Sequence, residues 1–255
     1  NNTYCMYIKQ TNSTNTLMRE LIAQGEKVPF IRADYQMAGR GQSGNGWESE
    51  EGKNLLCSIL IEKNILATQQ FDISVLVAVA LHRLIISALP KEKAVTIKWP
   101  NDLYVGDKKI AGVLIETALM GTQVQWAIAG VGLNIYQTHW ASDAPNPTSL
   151  SNEGTTINGG LDDWMNKLLE SINEVNTWTR EEQWTYYLQH LYRREGYWPF
   201  VEREVTIAPT MNANQTIEGA FMACIYNVTP QGQLVLIDEN NKKRTYHFKQ
   251  IRYIL

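Results

Sequence analysis

Lys98-Trp99-Pro100-Asn101-Asp102, which closes a β-branched run beginning at Val95, and Lys108-Lys109-Ile110-Ala111-Gly112, which opens the next, decide how this chain is read. Gly106-Asp107 between them is a turn signal, so three lysines, an amide and a carboxylate fall at strand ends. Pro100 at such an exit leaves Asn101 and Asp102 facing a cleft, or makes Asp102 an Asx-turn residue. Outward from this pair, Val95 to Trp99, Ile110 to Thr117 and Val124 to Asn134 read as strands of one mixed sheet, joined upstream by Tyr4 to Ile8, Phe30 to Tyr35 and Leu55 to Glu62.

Helices fill the gaps. Asn12 to Asn15 supply capping side chains ahead of a helix carrying Leu17, Leu21 and Ile22, which Gly25 ends. Phe71 to Leu89 is apolar on most of its circumference, with Asp72 as N-cap, and suits a helix packed beneath a sheet. Asp162 to Thr177 and Glu181 to Arg194 complete a larger domain over residues 1–195. Residues 196–255 change character: Val205-Ile207, Ile217-Tyr226, Gly232-Ile237 and Arg244-Phe248 are short strands, with Pro230-Gln231-Gly232 as a hairpin turn. The expected fold is α+β, a mixed sheet with helices plus a small C-terminal β-barrel of SH3-like size.

Composition narrows the function classes. The formal net charge of -3 is spread along 255 residues, so there is no electrostatic case for DNA or for an anionic membrane. Cys5, Cys57 and Cys224 form no CxxC, and no histidine sits at metal-ligand spacing, which fits a reduced, cytoplasmic compartment. The apolar stretch from Ile73 to Leu89 is interrupted by His82 and Arg83 and reads as core rather than as a membrane span.

The segment Gly39-Arg40-Gly41-Gln42-Ser43-Gly44-Asn45-Gly46-Trp47 lets backbone approach an anion, offers one guanidinium and ends on a flat indole. By itself it is as readily a flexible connector as a site. It lacks the Gly-Lys-Ser/Thr ending of a Walker A loop, and no Rossmann spacing of glycines runs from a strand into a helix.

Together these motifs resemble the biotin protein ligase family, the biotin–[acetyl-CoA-carboxylase] ligases or holocarboxylase synthetases. The likeness rests on Lys98 to Asp102, on Lys109 to Gly112 and on the loop from Gly39 to Trp47. It extends to Ser13-Thr14-Asn15, Gln36 and Gly130-Val131-Gly132-Leu133-Asn134. The resemblance implies a class II synthetase-like catalytic domain that joins biotin to ATP as biotinyl-AMP, with Mg2+ spreading phosphate charge. Biotin then passes to a lysine of a biotin carboxyl carrier protein. It implies biotin contacts from Ser13, Thr14, Asn15, Gln36, Gly39, Arg40, Gly41, Gln42, Lys109 and Gly112. Nucleotide contacts fall to Arg40, Trp47, Lys98, Asn101, Lys109 and Asn134. Arg40, Lys109 and Asp102 are the catalytic candidates, Asp102 as a base or as a metal ligand. The loop from Gly39 to Gly52 is expected to be mobile without ligand and ordered with it.

Two departures stand out. Gln42 replaces a second family arginine, and Asn45-Gly46 replaces another, so less positive charge faces the phosphates. The monofunctional type, without an N-terminal DNA-binding domain, is expected, and the apolar edge strands are compatible with a homodimer. The rivals are a lipoate-protein ligase or octanoyl transferase of the same fold, and a non-enzymatic biotin-binding module, for which three retained cations are superfluous.

Overall fold

The computed structural model describes residues 5–42, 45–62, 65–142, 144–203 and 219–254. The expected strand at Val205-Ile207, the start of the next at Ile217, and Ser43-Gly44 of the glycine loop lie outside the described residues. The first sheet contains β1 (Met6–Thr11), β2 (Phe30–Gln36), β3 (Asn54–Ile61), β4 (Val95–Lys98), β5 (Asp102–Val105), β6 (Lys108–Met120) and β7 (Gln123–Asn134). Its order is β1-β2-β3-β7-β6-β5-β4. Only β1 and β2 pair in parallel, through the crossover helix α1 (Thr14–Ala23); β4 to β7 form an antiparallel meander that returns to β3.

Strand alternation gives the sheet two different faces. Phe30, Leu55, Cys57, Ile59, Ala129, Val131 and Leu133 point into the main core, which they share with α2 (Phe71–Ala88), α3 (Leu161–Asn176) and α4 (Arg180–Gln189). Ile31 and Ile128 point the other way, against Met18 of α1. The stretch Ala67–Ala88 is long and apolar enough to cross a membrane by composition, but 67% of its most apolar 18 residues are buried inside the protein. It is the central core helix, and truncating a fully buried residue such as Leu81 or Ile85 to alanine costs about 2–5 kcal/mol.

Several sequence expectations change in detail. The first helix is not capped by its own side chains: Ser13 at the N-cap makes no side-chain cap bond, and the Thr14 amide donates instead to Gln36 Oε1 at 2.8 Å. The N-cap of α2 is Gln70 rather than Asp72. Asp72 accepts from Arg180 Nε (2.7 Å), Arg180 Nη2 (2.9 Å) and Trp184 Nε1 (2.7 Å), which fastens α4 to α2. The expected helix from Glu181 to Arg194 ends at Gln189, because the chain then turns onto the open edge of β4. Ile97 N donates to His190 O and Tyr192 N to Ile97 O, both at 2.8 Å, which satisfies an exposed strand edge. Asp102 opens the short strand β5, paired with Lys98, instead of a loop.

After Gly196, β8 (Trp198–Glu202), β9 (Ala220–Val228), β10 (Leu234–Asp238), β11 (Lys243–Tyr246) and β12 (Ile251–Tyr253) build a five-stranded antiparallel sheet, in the order β11-β10-β9-β8-β12. The Pro230–Gly232 turn joins β9 to β10 as its sequence indicates. That turn also meets Trp99 and Phe71: Trp99 Nε1 donates to Gly232 O at 3.0 Å, and the Phe71 ring lies where a side chain on residue 232 would go. Gly232 has φ +84°, a left-handed conformation. Gly232→Ala is expected to lose about 1–3 kcal/mol, from overpacking and backbone strain together. A urea midpoint equal to wild type would show that this contact does not help hold the two sheets together.

Candidate active site

Three glycines on the α1-side face of β6 and β7 open the sheet to its neighbours. Gly112 pairs with Gly132, and Gly130 with Leu114 and Ser58. A Cβ on Gly132 would come within 2.5 Å of Trp47 Cε2, one on Gly112 within 3.0 Å of Trp47 Cζ3, and one on Gly130 would collide with the Asn15 amide. The indole of Trp47 and the side chain of Asn15 therefore lie directly on the backbone of the sheet.

One pocket gathers most of the predicted residues: Ser13, Thr14, Asn15, Gln36, Arg40, Gly41, Gln42, Trp47, Asp102, Lys109 and Gly112 all line it. At its polar end, Thr14 Oγ1 lies 3.1 Å from Gln36 Oε1, and Ser58 Oγ lies 2.7 Å from Thr14 Oγ1 and 2.5 Å from Asn15 Oδ1. At its charged end, Lys109 Nζ donates to Asp102 Oδ2 at 2.6 Å and stands 5.5 Å from the centroid of the Trp47 ring. Arg40 Nη2 reaches both oxygens of Glu116, at 3.1 and 3.3 Å. The cavity measures about 40 Å³, room for a few waters.

The remaining predicted residues sit around the pocket rather than in it. Gly39 O accepts the Trp47 amide at 2.9 Å, and Arg40 bridges to Gly46, so the described part of the loop folds back on itself. Asn101 is 2% exposed, and its Oδ1 accepts from Gln42 Nε2 at 2.7 Å. Gln42 thus makes an amide pair where an arginine would have brought charge. Asn134 is buried and donates to Thr148 O at 2.9 Å, while its Oδ1 has no hydrogen-bond partner among the described residues.

Lys98 is turned away. Its Nζ donates to Tyr104 Oη at 3.0 Å and lies 4.6, 5.9 and 5.2 Å from the ring centroids of Tyr104, Tyr192 and Tyr253. Burial brings its pKa down to about 8, Asp102 pulling the other way and Lys109 with it.

The sequence reading missed Glu116, Ser58 and Cys57. Glu116 and Ser58 are polar residues within mostly apolar stretches of their strands, in step with Gly112 and Gly130, and that alternation was the available signal. Cys57 borders the pocket only from the strand beneath it: its side chain lies in the main core, where burial pushes the thiol up to about 12, so it is no nucleophile. Asp102 is the sole carboxylate among the pocket's lining residues, and Lys109 already holds it. No group of three histidine, cysteine or acidic side chains that could bind a metal occurs among the described residues. These donors do not make a resident magnesium site, whereas magnesium commonly arrives on nucleotide phosphates.

The model of the biotin/lipoate A/B protein ligase family matches residues 7–134, half of the chain, and the chain belongs to that family. Among curated relatives, the bifunctional ligase/repressor BirA of Salmonella typhimurium is 31% identical over 153 residues, 59% of this chain and 47% of that protein. The biotin–[acetyl-CoA-carboxylase] ligase of Mycobacterium tuberculosis is 31% identical over 156 residues, 58% of this chain and 54% of its own length. The chain thus matches about half of each. The biotin protein ligase of Aquifex aeolicus, solved in complex with biotin and ATP, superposes with a TM-score of 0.68 at 22% identity, over 98% of this chain and 99% of that one. That likeness establishes a shared fold across both sheets.

The caged lysine gives a signature in stability. Between pH 8 and its ordinary 10.5, the unfolded chain keeps a proton at Lys98 that the folded chain has released, so stability from this group rises with pH across that window. Above pH 10 the buried phenols of Tyr104 and Tyr253, raised by desolvation, act in the opposite sense. Urea midpoints measured between pH 8 and 10 should therefore climb less in Lys98→Met than in wild type. An identical slope would assign the rise to another group.

Proposed function

We propose that this chain is a biotin protein ligase that makes biotinyl-AMP from biotin and ATP and passes the biotin to a lysine of a biotin carboxyl carrier protein. The observation that carries the reading is one pocket in which hydrogen-bonding groups sit beside one carboxylate-steadied cation, Arg40, and a second, Lys109, stands further along the same strand against Asp102. A ureido ring offers two N–H donors and a carbonyl, which suits Ser13, Thr14, Asn15 and Gln36. A lipoyl or octanoyl group has nothing comparable to offer there.

In the first step a biotin carboxylate oxygen bonds to the α-phosphorus, and the bond from that phosphorus to the β-phosphate bridging oxygen breaks, releasing pyrophosphate. Lys109 and Arg40 offset charge on the carboxylate and α-phosphate and hold them in line, and magnesium enters with ATP. In the second step the acceptor amine attacks the acyl carbon and AMP leaves. Asp102, at 2.6 Å from Lys109 Nζ, holds that ammonium, and in this reading it accepts the proton the amine sheds. Trp47 and the loop before it cover the anhydride against water.

Biotin-dependent exchange of pyrophosphate into ATP tests the reading, since a mere biotin-binding module gives none. Lys109→Ala is expected to lower exchange at least about a hundredfold; near-normal exchange in that variant would remove Lys109 from the chemistry. Asp102→Asn should slow adenylation less than Lys109→Ala does, and slow transfer to the carrier as well. Unchanged rates in both half-reactions would exclude Asp102.

A further inference from the structure

Glu116 enters the chemistry described so far only as the carboxylate beneath Arg40, yet side chains from three separate places meet at it. It sits on β6 on the same face as Gly112 and Leu114, opposite Ile128 of β7. Its two oxygens accept Arg40 Nη2 at 3.1 and 3.3 Å, Oε2 accepts Asn15 Nδ2 at 3.0 Å, and Oε1 lies 3.5 Å from Arg19 Nη1. The Glu116 side chain is 21% exposed, against 41% for Arg40 and 46% for Arg19, so the anion lies beneath its two cations. Arg40 comes from a glycine-rich loop, Asn15 from the start of α1, and Glu116 from the middle of a long, well-paired strand. The strand is the rigid partner among the three.

Resting on the ligase reading above, we propose that Glu116 is the positioning residue of adenylation. It anchors the Arg40 guanidinium from the sheet side so that the remaining N–H groups face the pocket. Through Asn15 it also fixes the polar end of the pocket relative to that charge. An arginine on glycine-rich backbone has no other reason to stay over the pocket: among the described residues Glu116 is its ion-pair partner, and the residue is otherwise solvent-facing. The device converts a mobile cation into a preorganised one, which is the form in which a charge accelerates a reaction.

Two readouts separate this role from a merely structural one. In pyrophosphate exchange, Glu116→Gln keeps an acceptor for Asn15 but loses the anion. It should leave the KM for biotin within about twofold and lower kcat about tenfold, whereas Glu116→Ala should also raise the KM for biotin. Because Glu116 acts through Arg40, Glu116→Ala should cost little further once Arg40→Ala is present. Arg19→Ala should resemble wild type. Equal effects of Glu116→Ala with and without Arg40, or an unchanged kcat in Glu116→Gln, would overturn the proposal.

The second readout needs no activity. Trypsin cleavage after Arg40 in the ligand-free protein, identified by fragment mass, should be faster in both Glu116 variants than in wild type and Arg19→Ala. Equal rates at unchanged unfolding midpoints would overturn the anchoring role. Absence of exchange in the wild-type protein would instead sink the ligase reading and leave the proteolysis to decide the anchor.

Discussion

Backbone-to-side-chain contact across the glycines of β6 and β7 is the constraint on which the site rests. Where Gly112 meets Gly132, neither strand projects a side chain, and the Trp47 indole lies on the peptide planes. Gly130 does the same for Asn15. An alanine at Gly132 would put a carbon 2.5 Å from the indole and lift the loop that carries Arg40 and Gln42. The ladder between β6 and β7 is continuous from Ala111 to Ala118, so the floor loses no rigidity for lacking side chains there.

The opposite face supplies that rigidity. Val113, Val131 and Leu133 alternate with the pocket glycines and are buried beneath α2, α3 and α4. A strand that is apolar on one face and bare on the other is held in place from the dry side alone. Ser58 shows the same division: its neighbours Cys57 and Ile59 belong to the core, while its hydroxyl turns to Thr14 and Asn15.

Much of this was legible in the residues, for identifiable reasons. Long β-branched runs such as Val124 to Asn134 announce themselves by composition, and the lysine, carboxylate and glycine motifs at strand ends marked most of the pocket. The failures have physical causes too. A four-residue strand such as β5 carries too few alternations to be seen, and β12 has three residues. The end of α4 is fixed by a hydrogen-bonding need on β4, about ninety positions earlier in the chain, which no local pattern around Leu191 encodes. Lys98 was grouped with the phosphate ligands because its motif faces a cleft; whether its amine turns into the cleft or into a nest of tyrosines depends on Tyr253, at the far end of the chain.

That turn of Lys98 changes the charge available to a polyanion. With Lys98 among tyrosines and Gln42 paired to Asn101, two cations line the pocket, and each already leans on a carboxylate: Lys109 on Asp102, Arg40 on Glu116. A carboxylate partner does not exhaust either group, since an ammonium has three donors and a guanidinium five. Each cation can therefore keep its anchor and still donate to a ligand oxygen, and its geometry is set before the ligand arrives. What the pocket lacks in number of charges it offsets by holding two of them still, at opposite edges of the same glycine floor.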